Sequence, residues 1–285
     1  MLDEKDLWYE EEDTDDISEI HSGVVGVFDG VLHPYKITKP IRLIELFAGV
    51  GSQAMSLRAI GANFETWRVV EFDAYAVDVY NAIHGTDFVT QDITKVKGSD
   101  LGIVDTDKYE YVMTYSFPCQ ALSLAGKHGG MVEGSGTSSS LLWEVRRLLD
   151  ECENLPQVLV MENVPQVHNE TNLPHFNRWL EYLASKGYRS FWQDMNAKNY
   201  GVAQNRARCI CVSILSNASF TFPEEYALEK RLSDYLDDNV DEKYYAMNPT
   251  MRNLIEKVLR DGNVPGLESA RKSLVVLDDM DEEDW

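Results

Sequence analysis

The sequence predicts an α/β fold with a mainly parallel sheet, on two observations. Apolar runs that are rich in β-branched and aromatic residues have the length and composition of buried strands. Between these runs, apolar residues recur at helical spacing, for example at Leu141, Val145, Leu148 and Leu149. Strands that alternate with helices in this way build parallel βαβ units.

The predicted elements follow one another from residue 41 onward. Strands are predicted at 41–47, 66–71, 109–115, 157–161, 188–194 and 208–215. The first predicted helix ends at Gly61, whose position suits a helix C-cap. Three further helices are predicted at 74–83, 141–149 and 173–186. A short hairpin from Val24 to Val31, around Asp29-Gly30, is a further prediction.

Changes in pattern along the chain predict three regions. Residues 1–40 form an acidic N-terminal extension, in which 1–21 are predicted to be a solvated arm. Residues 41–222 hold the alternating α/β domain. Residues 223–285 form a partial C-terminal segment with short helices, among them 250–261, and an acidic tail.

Composition indicates a globular protein that works away from membranes. The chain has 285 residues, 44% of them hydrophobic, and no apolar run approaches the roughly 18 residues that a membrane span needs. Its first residues are acidic, unlike those of a signal peptide, so we expect a cytoplasmic protein. The formal net charge is −22, with eleven acidic residues and three lysines in residues 1–40. Because no basic stripe marks a groove, the chain alone should bind DNA poorly.

The four cysteines indicate reduced thiols and no metal site. They are Cys119, Cys152, Cys209 and Cys211, none of them in a CxxC pair, and ligand-spaced partners are missing. Cys119 follows a predicted strand and precedes a glycine-rich loop, which is where α/β folds place their chemistry. Taken alone, such a cysteine is more often a small buried thiol.

A nucleotide-binding pattern opens the α/β domain. The motif Gly49-x-Gly51-x-x-Ala54 follows the first strand, and Glu71 ends the second. Glycines let the backbone approach a ligand, and an acidic residue at that place accepts hydrogen bonds from ribose hydroxyls. The motif alone fits a packing turn equally well. The tight, apolar entrance at Phe47-Ala48 favours an adenosyl ligand over a pyrophosphate.

Three polar clusters lie at the ends of predicted strands: Pro118-Cys119-Gln120, Glu162-Asn163-Val164 and Gln204-Asn205-Arg206-Ala207-Arg208. Each cluster alone has a simple structural explanation, such as a salt-bridged glutamate or a solvated pair of arginines. Together they bring a nucleophile, a carboxyl group and two cations to one edge of one sheet.

In this order the motifs resemble those of the DNA (cytosine-5) methyltransferases. The matching segments lie within 41–222 and are ELFAGVG at 45–51, EFD at 71–73, DI at 92–93, FPCQ at 117–120, ENV at 162–164 and QNRAR at 204–208. The resemblance implies a Rossmann-like methyltransferase domain at 41–222 that binds S-adenosylmethionine at the carboxyl edge of its sheet. It also implies methylation of C5 of cytosine in double-stranded DNA.

The resemblance implies a role for each matching residue at the cofactor. The cofactor-binding set is Phe47, Gly49, Gly51, Glu71, Phe72, Asp92 and Ile93. In it, Phe47 would pack against the cofactor and Glu71 would bind the ribose hydroxyls. Phe72 would pack on the adenine, whose edge Asp92 and Ile93 would contact.

The resemblance implies roles in the chemistry as well. The catalytic set is Cys119, Glu162, Arg208, Arg206 and Pro118, and the DNA-contacting loop at 121–137 is preceded by Gln120 and contains Ser123. Thiolate addition at C6, with protonation at N3, turns the poorly nucleophilic cytosine ring into an enamine. Cys119 would attack C6, Glu162 would hold and protonate N3, and Arg208 would bind the flipped base. Arg206 would support them, and the loop would close over the DNA.

Two features depart from the family pattern. Ser116 stands where the family has a glycine, and 224–285 shows neither a target-recognition domain nor the late GN-type motif. The favoured hypothesis is one subunit of a split methyltransferase, completed by a second polypeptide that carries those parts. The alternatives are a catalytically silent relative with a binding or regulatory role, a degenerate remnant, and an unrelated cysteine enzyme.

Overall fold

The computed structural model describes residues 8–9, 22–25, 33–122, 130–229 and 232–235. These residues form one sheet of eight strands and four α-helices. The strands are β1 (Trp8–Tyr9), β2 (Ser22–Val25), β3 (Ile41–Leu46), β4 (Phe64–Val70), β5 (Glu110–Tyr115), β6 (Val158–Asn163), β7 (Arg189–Asn196) and β8 (Ala207–Ile214). The helices are α1 (Ser52–Ala59), α2 (Ala74–His84), α3 (Leu142–Glu151) and α4 (Leu173–Ser185).

The sheet is mixed, with the strand order β1-β2-β7-β8-β6-β5-β3-β4. The α/β class is confirmed, and β4, β3, β5 and β6 form the predicted parallel part. In the other part, β8 is antiparallel to β6 and β7, and β2 and β1 continue the antiparallel pattern. Antiparallel neighbours need no crossover helix, which is why the short connection 197–206 suffices between β7 and β8.

This topology gathers several strand ends at one edge of the sheet. The carboxyl ends of parallel strands lie side by side, so the residues after β3, β4, β5 and β6 share an edge. β8 runs in the opposite direction, and its Cys209 pairs with Asn163 at the end of β6. The start of β8 therefore lies at that same edge.

Residues before 40 contribute two strands, β1, which the sequence did not predict, and β2, which overlaps the start of the predicted hairpin. Val24 and Val25 pair with β1 on one side and with β7 on the other, so they do not form the predicted hairpin. Residues 26–32, the rest of that hairpin, lie outside the described residues. Within the predicted solvated arm at 1–21, Trp8–Tyr9 belongs to the sheet instead.

Pairing of β2 with β7 depends on a glycine. Gly23 lies opposite Trp192, and a Cβ at Gly23 would come within 2.6 Å of the indole Nε1. Any larger residue would push the ring away or separate the strands. The close approach of these two strands therefore explains why a glycine stands at this position.

Helices cover the two faces of the sheet unequally. α3 and α4 bury apolar stripes in the main core, where Val145 and Trp179 are fully buried. On the opposite face, α1 packs Ala54 and Leu57 against the start of β3. Val160 and Ile210 on that face are only partly buried. None of the helices in the described ranges combines the length and apolar character needed to cross a membrane.

The chain divides into two compact units, Met1–Asn196 with Ala207–Glu224, and Ala197–Arg206 with Glu225–Trp285. The first unit contains the whole sheet. In the second, the Tyr226 N–H donates to the Asn199 carbonyl oxygen (2.9 Å) and the Tyr226 hydroxyl donates to that of Tyr200 (2.7 Å). The division predicted from the sequence, at residues 41 and 222, stays a prediction. The predicted helix at 250–261 and the acidic tail lie outside the described residues.

Candidate active site at the carboxyl edge of the sheet

Cys119 lies just beyond β5 with its side chain partly exposed. Buried side chains from neighbouring segments fix the backbone before it. The Asn163 Nδ2 donates to the Phe117 carbonyl oxygen (3.0 Å), and the Ser139 hydroxyl donates to that of Pro118 (2.6 Å). Because both donors are buried, their hydrogen bonds do not compete with water. The thiol is thus held in place and remains accessible.

Glu162 and Arg208 form an ion pair at the same edge. Glu162 lies opposite Ile210 in the ladder between β6 and β8, and Arg208 is two residues from Ile210, so both side chains share one face. The Arg208 Nε donates to the Glu162 Oε1 at 2.7 Å, and the two side chains are 23% and 31% exposed. A ligand at this edge can therefore reach both groups.

The structure thus brings three of the predicted catalytic residues to one edge of the first unit. β5 pairs with β6, and β6 with β8, so Cys119, Glu162 and Arg208 come from three adjacent strands. Arg208, which was predicted to bind the flipped base, has Glu162 as its ion-pair partner. Arg206 lies in the second unit, and its supporting role stays a prediction.

The turn between β3 and α1 has an unusual backbone. Phe47, Gly49 and Gly51 all have positive φ angles, of 56°, 54° and 82°. Glycine adopts this conformation freely, whereas a phenylalanine there marks local strain of the kind that collects at binding sites. A Cβ at Gly51 would lie 2.4 Å from the His84 Nε2, but a Cβ at Gly49 would meet nothing within 4 Å. Packing requires Gly51, and Gly49 borders open space that a ligand can fill.

Glu71 connects this turn to the end of β4. Its Oε2 accepts a hydrogen bond from the Gly49 N–H (2.8 Å), and its Oε1 accepts one from the Asp73 N–H (2.9 Å). These two bonds fix the orientation of the carboxylate. A carboxylate offers about four acceptor sites, so it can still receive hydroxyl groups. This geometry suits the predicted role with ribose.

The residues predicted at the adenine differ in exposure. The Phe72 ring is 77% exposed, and the Ile93 side chain is 5% exposed and packs in the main core. Asp92 accepts from the Thr94 hydroxyl (2.7 Å) and amide (3.1 Å) and pairs with Lys95 (3.2 Å). These partners, the Thr94 hydroxyl first, hold the pKa of Asp92 below its usual value. Phe72 and Asp92 are available to a ligand, and Ile93 mainly supports the surface beneath them.

Together these residues fit an adenosyl group. The open space at Gly49 admits the ligand, the oriented Glu71 carboxylate accepts from hydroxyls, and the exposed Phe72 ring offers a face for stacking. Without a ligand, the 77% exposed Phe72 ring leaves apolar surface in water, which is unfavourable in free energy. Covering it with a planar base would remove that cost.

Only part of the predicted DNA-contacting loop lies within the described residues. Gln120 is exposed, and its Oε1 accepts a hydrogen bond from the Ser138 hydroxyl at 3.2 Å. Ser123 lies in 123–129, outside the described residues, so its role stays a prediction. The hydrogen bond to Ser138 connects the start of the loop with the segment that leads into α3.

Sequence reasoning gave no role to three buried polar residues that support the site: Asn163, Ser139 and Glu45. Glu45 in β3 is fully buried and accepts hydrogen bonds from the Ala54 N–H (3.3 Å) and from the Tyr80 hydroxyl. Burial raises its pKa. A polar residue inside an apolar strand is a signal that identifies Glu45 and Asn163. Ser139 lies in a serine- and glycine-rich stretch that carries no such signal.

Replacing Glu71 by alanine should weaken the binding of S-adenosylmethionine by about 1–3 kcal/mol, because ribose hydroxyls would lose their acceptor. Isothermal titration calorimetry measures the change. Glu65→Ala is the matched control, since Glu65 pairs with Arg42 (2.6 Å) on β3 and should leave the affinity unchanged. Equal affinities of the parent and Glu71→Ala would place the ribose elsewhere.

Comparison with known proteins adds an independent line of evidence. The sequence model of the family described as C-5 cytosine-specific DNA methylase matches residues 41–273, a range that extends beyond residue 222. The type II methyltransferase M2.ScrFI of Lactococcus lactis subsp. cremoris is 30% identical, over 78% of this chain and 74% of the relative. The orphan methyltransferase M.SssI of Spiroplasma monobiae is also 30% identical, over 77% of this chain and 70% of the relative.

Solved structures share the fold at lower sequence identity. The S. pombe Dnmt2 methyltransferase matches with a TM-score of 0.59 and 18% identity, over 76% of this chain and 65% of that one. The Entamoeba histolytica methyltransferase EhMeth matches with a TM-score of 0.60 and 20% identity, over 79% of this chain and 66% of that one. The chain thus spans about two thirds of the length of these structures.

Proposed function

Because the chain belongs to the C-5 cytosine-specific DNA methylases, we propose that it methylates C5 of cytosine in DNA as one subunit of a split enzyme. S-adenosylmethionine is the methyl donor of this family and supplies an electrophilic methyl group when bound. One observation carries the proposal: Cys119 and the Glu162–Arg208 pair lie at the same sheet edge as the turn that positions Glu71. A catalytically silent relative would not need this set to stay together.

Cys119 supplies the nucleophile in this proposal. Its thiolate forms a bond to C6 of the cytosine, N3 takes up a proton, and C5 becomes nucleophilic. After C5 has taken up the methyl group, the C5 proton passes to a base, the bond between sulfur and C6 breaks, and N3 releases the proton that it had taken up. The thiolate and the methylated base are then released. The partly exposed thiol on a fixed turn suits such an attack.

Glu162 and Arg208 hold the base during that attack. Glu162 binds N3 and delivers its proton, and Arg208 orients the carboxyl group through its Nε, at 2.7 Å. The Arg208 Nη1 donates to the Ala207 carbonyl oxygen (2.7 Å), so the Nη2 N–H groups are the ones that can donate to the base. Since C6 is out of reach inside a duplex, the cytosine must be flipped into this edge of the sheet.

Charge supports the need for a second subunit. A specific DNA complex neutralises phosphates with lysines and arginines, and this chain has 26 of them against 48 acidic residues. A basic second polypeptide would supply the phosphate contacts and the base reading. Val160 and Ile210, which are partly buried on the face that carries Glu162 and Arg208, offer it an apolar surface.

The purified 285-residue chain should show no specific DNA binding and no methyl transfer at physiological salt. Co-expression with a basic second polypeptide, starting with the product of the adjacent reading frame, should restore both. Gel shifts over a range of salt concentrations measure binding, because each phosphate contact steepens the salt dependence. A tritiated methyl donor reports turnover.

The possible outcomes separate the two parts of the proposal. Sequence-specific turnover by the chain alone would contradict the split enzyme and leave the chemistry intact. Binding of DNA by the complex without methylation would contradict the chemistry. As a matched control, the complex carrying Cys119→Ser should bind DNA without turnover, so that binding and catalysis are scored separately.

A further inference from the structure

A cluster of three potential metal ligands lies outside the proposed active site. It consists of His168, Asp194 and Cys209, and their ligand atoms all lie within 4.8 Å of one another. The His168 Nε2 is 3.0 Å from each carboxylate oxygen of Asp194. Nitrogen and oxygen atoms that bind the same zinc ion at about 2.0–2.2 Å lie at similar separations from each other.

The sheet register creates this cluster. Asp194 on β7 and Cys209 on β8 are directly opposite each other, so their side chains lie side by side on one face. His168 reaches that face from the end of the 3-10 helix Pro165–His168, which follows β6. Three separate segments therefore each supply one group, and none of the three depends on a flexible terminus.

The surroundings of the cluster are mostly apolar. The His168 ring packs against Trp192, with centroids 4.8 Å apart, and lies 6.3 Å from the ring of Phe176. Cys209 is fully buried, whereas the side chains of His168 and Asp194 are 11% and 13% exposed. The groups are shielded from bulk water, and the remaining exposure leaves an entry path for an ion.

We propose that His168, Asp194 and Cys209 form a zinc site. Imidazole nitrogen, carboxylate oxygen and thiolate sulfur are the ligands that Zn²⁺ accepts together, and a water completes a tetrahedron around three protein ligands. Mg²⁺ and Ca²⁺ prefer oxygen ligands throughout. Cys209 would bind as the thiolate, so its proton passes to the solvent when zinc enters.

A zinc ion at this site would stabilise the edge of the sheet that carries Glu162 and Arg208. Cys209 directly follows Arg208, and its partner in β6 is Asn163, the residue after Glu162. His168 ends the short helix that begins two residues after Asn163. An ion that joins these segments would hold both members of the Glu162–Arg208 pair in register. No metal site was predicted here, because the three ligands are far apart in the sequence.

Metal binding to the full chain tests this inference. The parent, treated with a chelator and then supplied with equimolar Zn²⁺, should retain about one ion per chain after gel filtration and unfold at a higher temperature. With Co²⁺ it should show the visible bands of a tetrahedral site and a thiolate-to-metal absorption. His168→Gln and Cys209→Ala should each weaken zinc binding at least about 100-fold.

Cys211→Ala is the matched control. Cys211 is a buried thiol two residues further along β8 that does not belong to the cluster, so its removal should leave zinc retention and the Co²⁺ spectrum unchanged. If Cys209→Ala does not fold, zinc binding by His168→Gln still tests the site. No retention of zinc by the parent, or equal retention by His168→Gln, would reduce the cluster to a hydrogen bond between His168 and Asp194. These readouts do not depend on methyl transfer.

Discussion

Replacing Cys119 by serine should reduce methyl transfer to background, a loss of about 10⁴-fold or more, as removal of a nucleophile causes in other enzymes. A serine hydroxyl is much less nucleophilic than a thiolate at neutral pH. The substitution changes one atom and keeps the turn that Asn163 and Ser139 hold. The affinity for S-adenosylmethionine should therefore stay unchanged. Methyl-transfer assays on the active complex, with calorimetry on the chain, measure both quantities.

Cys152→Ser is the control for the nucleophile. Its thiol donates to the Gly98 carbonyl oxygen (3.6 Å), and burial raises the pKa of Cys152 to about 11, so it is unreactive at neutral pH. Trapping on DNA that contains 5-fluorocytosine should succeed with the parent and with Cys152→Ser but fail with Cys119→Ser. An adduct of equal yield with Cys119→Ser would show that another residue attacks C6.

Replacing Glu162 by glutamine should lower the rate of methyl transfer by about 10²- to 10⁴-fold, the usual effect of losing a general acid. The amide oxygen can still accept from the Arg208 Nε, but the side chain cannot deliver a proton to N3. The ion pair is partly exposed, so the free energy of unfolding should change by less than about 1 kcal/mol. Single-turnover kinetics and urea unfolding measure the two effects.

Glu65→Gln makes the same chemical change in another arginine ion pair. Glu65 on β4 pairs with Arg42 on β3 at 2.6 Å, and its replacement should leave the rate of methyl transfer unchanged. Full activity of Glu162→Gln would remove Glu162 from the role of acid. A fall in stability of several kcal/mol with Glu162→Gln would assign the residue a structural role instead.

The α/β part of the fold could be predicted because its signals are local. The apolar run of β3 and the turn glycines act within a few residues. Gly61, predicted at the helix C-cap, lies one residue beyond the C-cap Ile60 and has the positive φ angle (68°) typical of that next position. The edge position of Cys119 and Glu162 followed from the parallel order of their strands. Local propensity and long-range pairing agree in this part of the chain.

Features that depend on pairing between distant segments could not be predicted. β1 has two residues inside a charge run and forms through its pairing with β2. The register that places Asp194 beside Cys209 has no counterpart in their sequence spacing. The Ser139 hydrogen bond to Pro118 likewise joins two loop residues whose sequence carries no periodicity.

The two strands before residue 40 also determine which backbone groups the sheet leaves unpaired. β2 covers residues 190–193 of β7, and without it the outward N–H and C=O groups of that segment would be free to pair with another copy of the chain. With β2 present, the edge strand of the sheet is β1 instead of β7. β1 has two residues and adjoins an acidic stretch of the sequence. A very short strand next to repelling charges is a poor template for a further strand. Because β1 is so short, the outer edge of the sheet offers few backbone groups for pairing between copies of the chain.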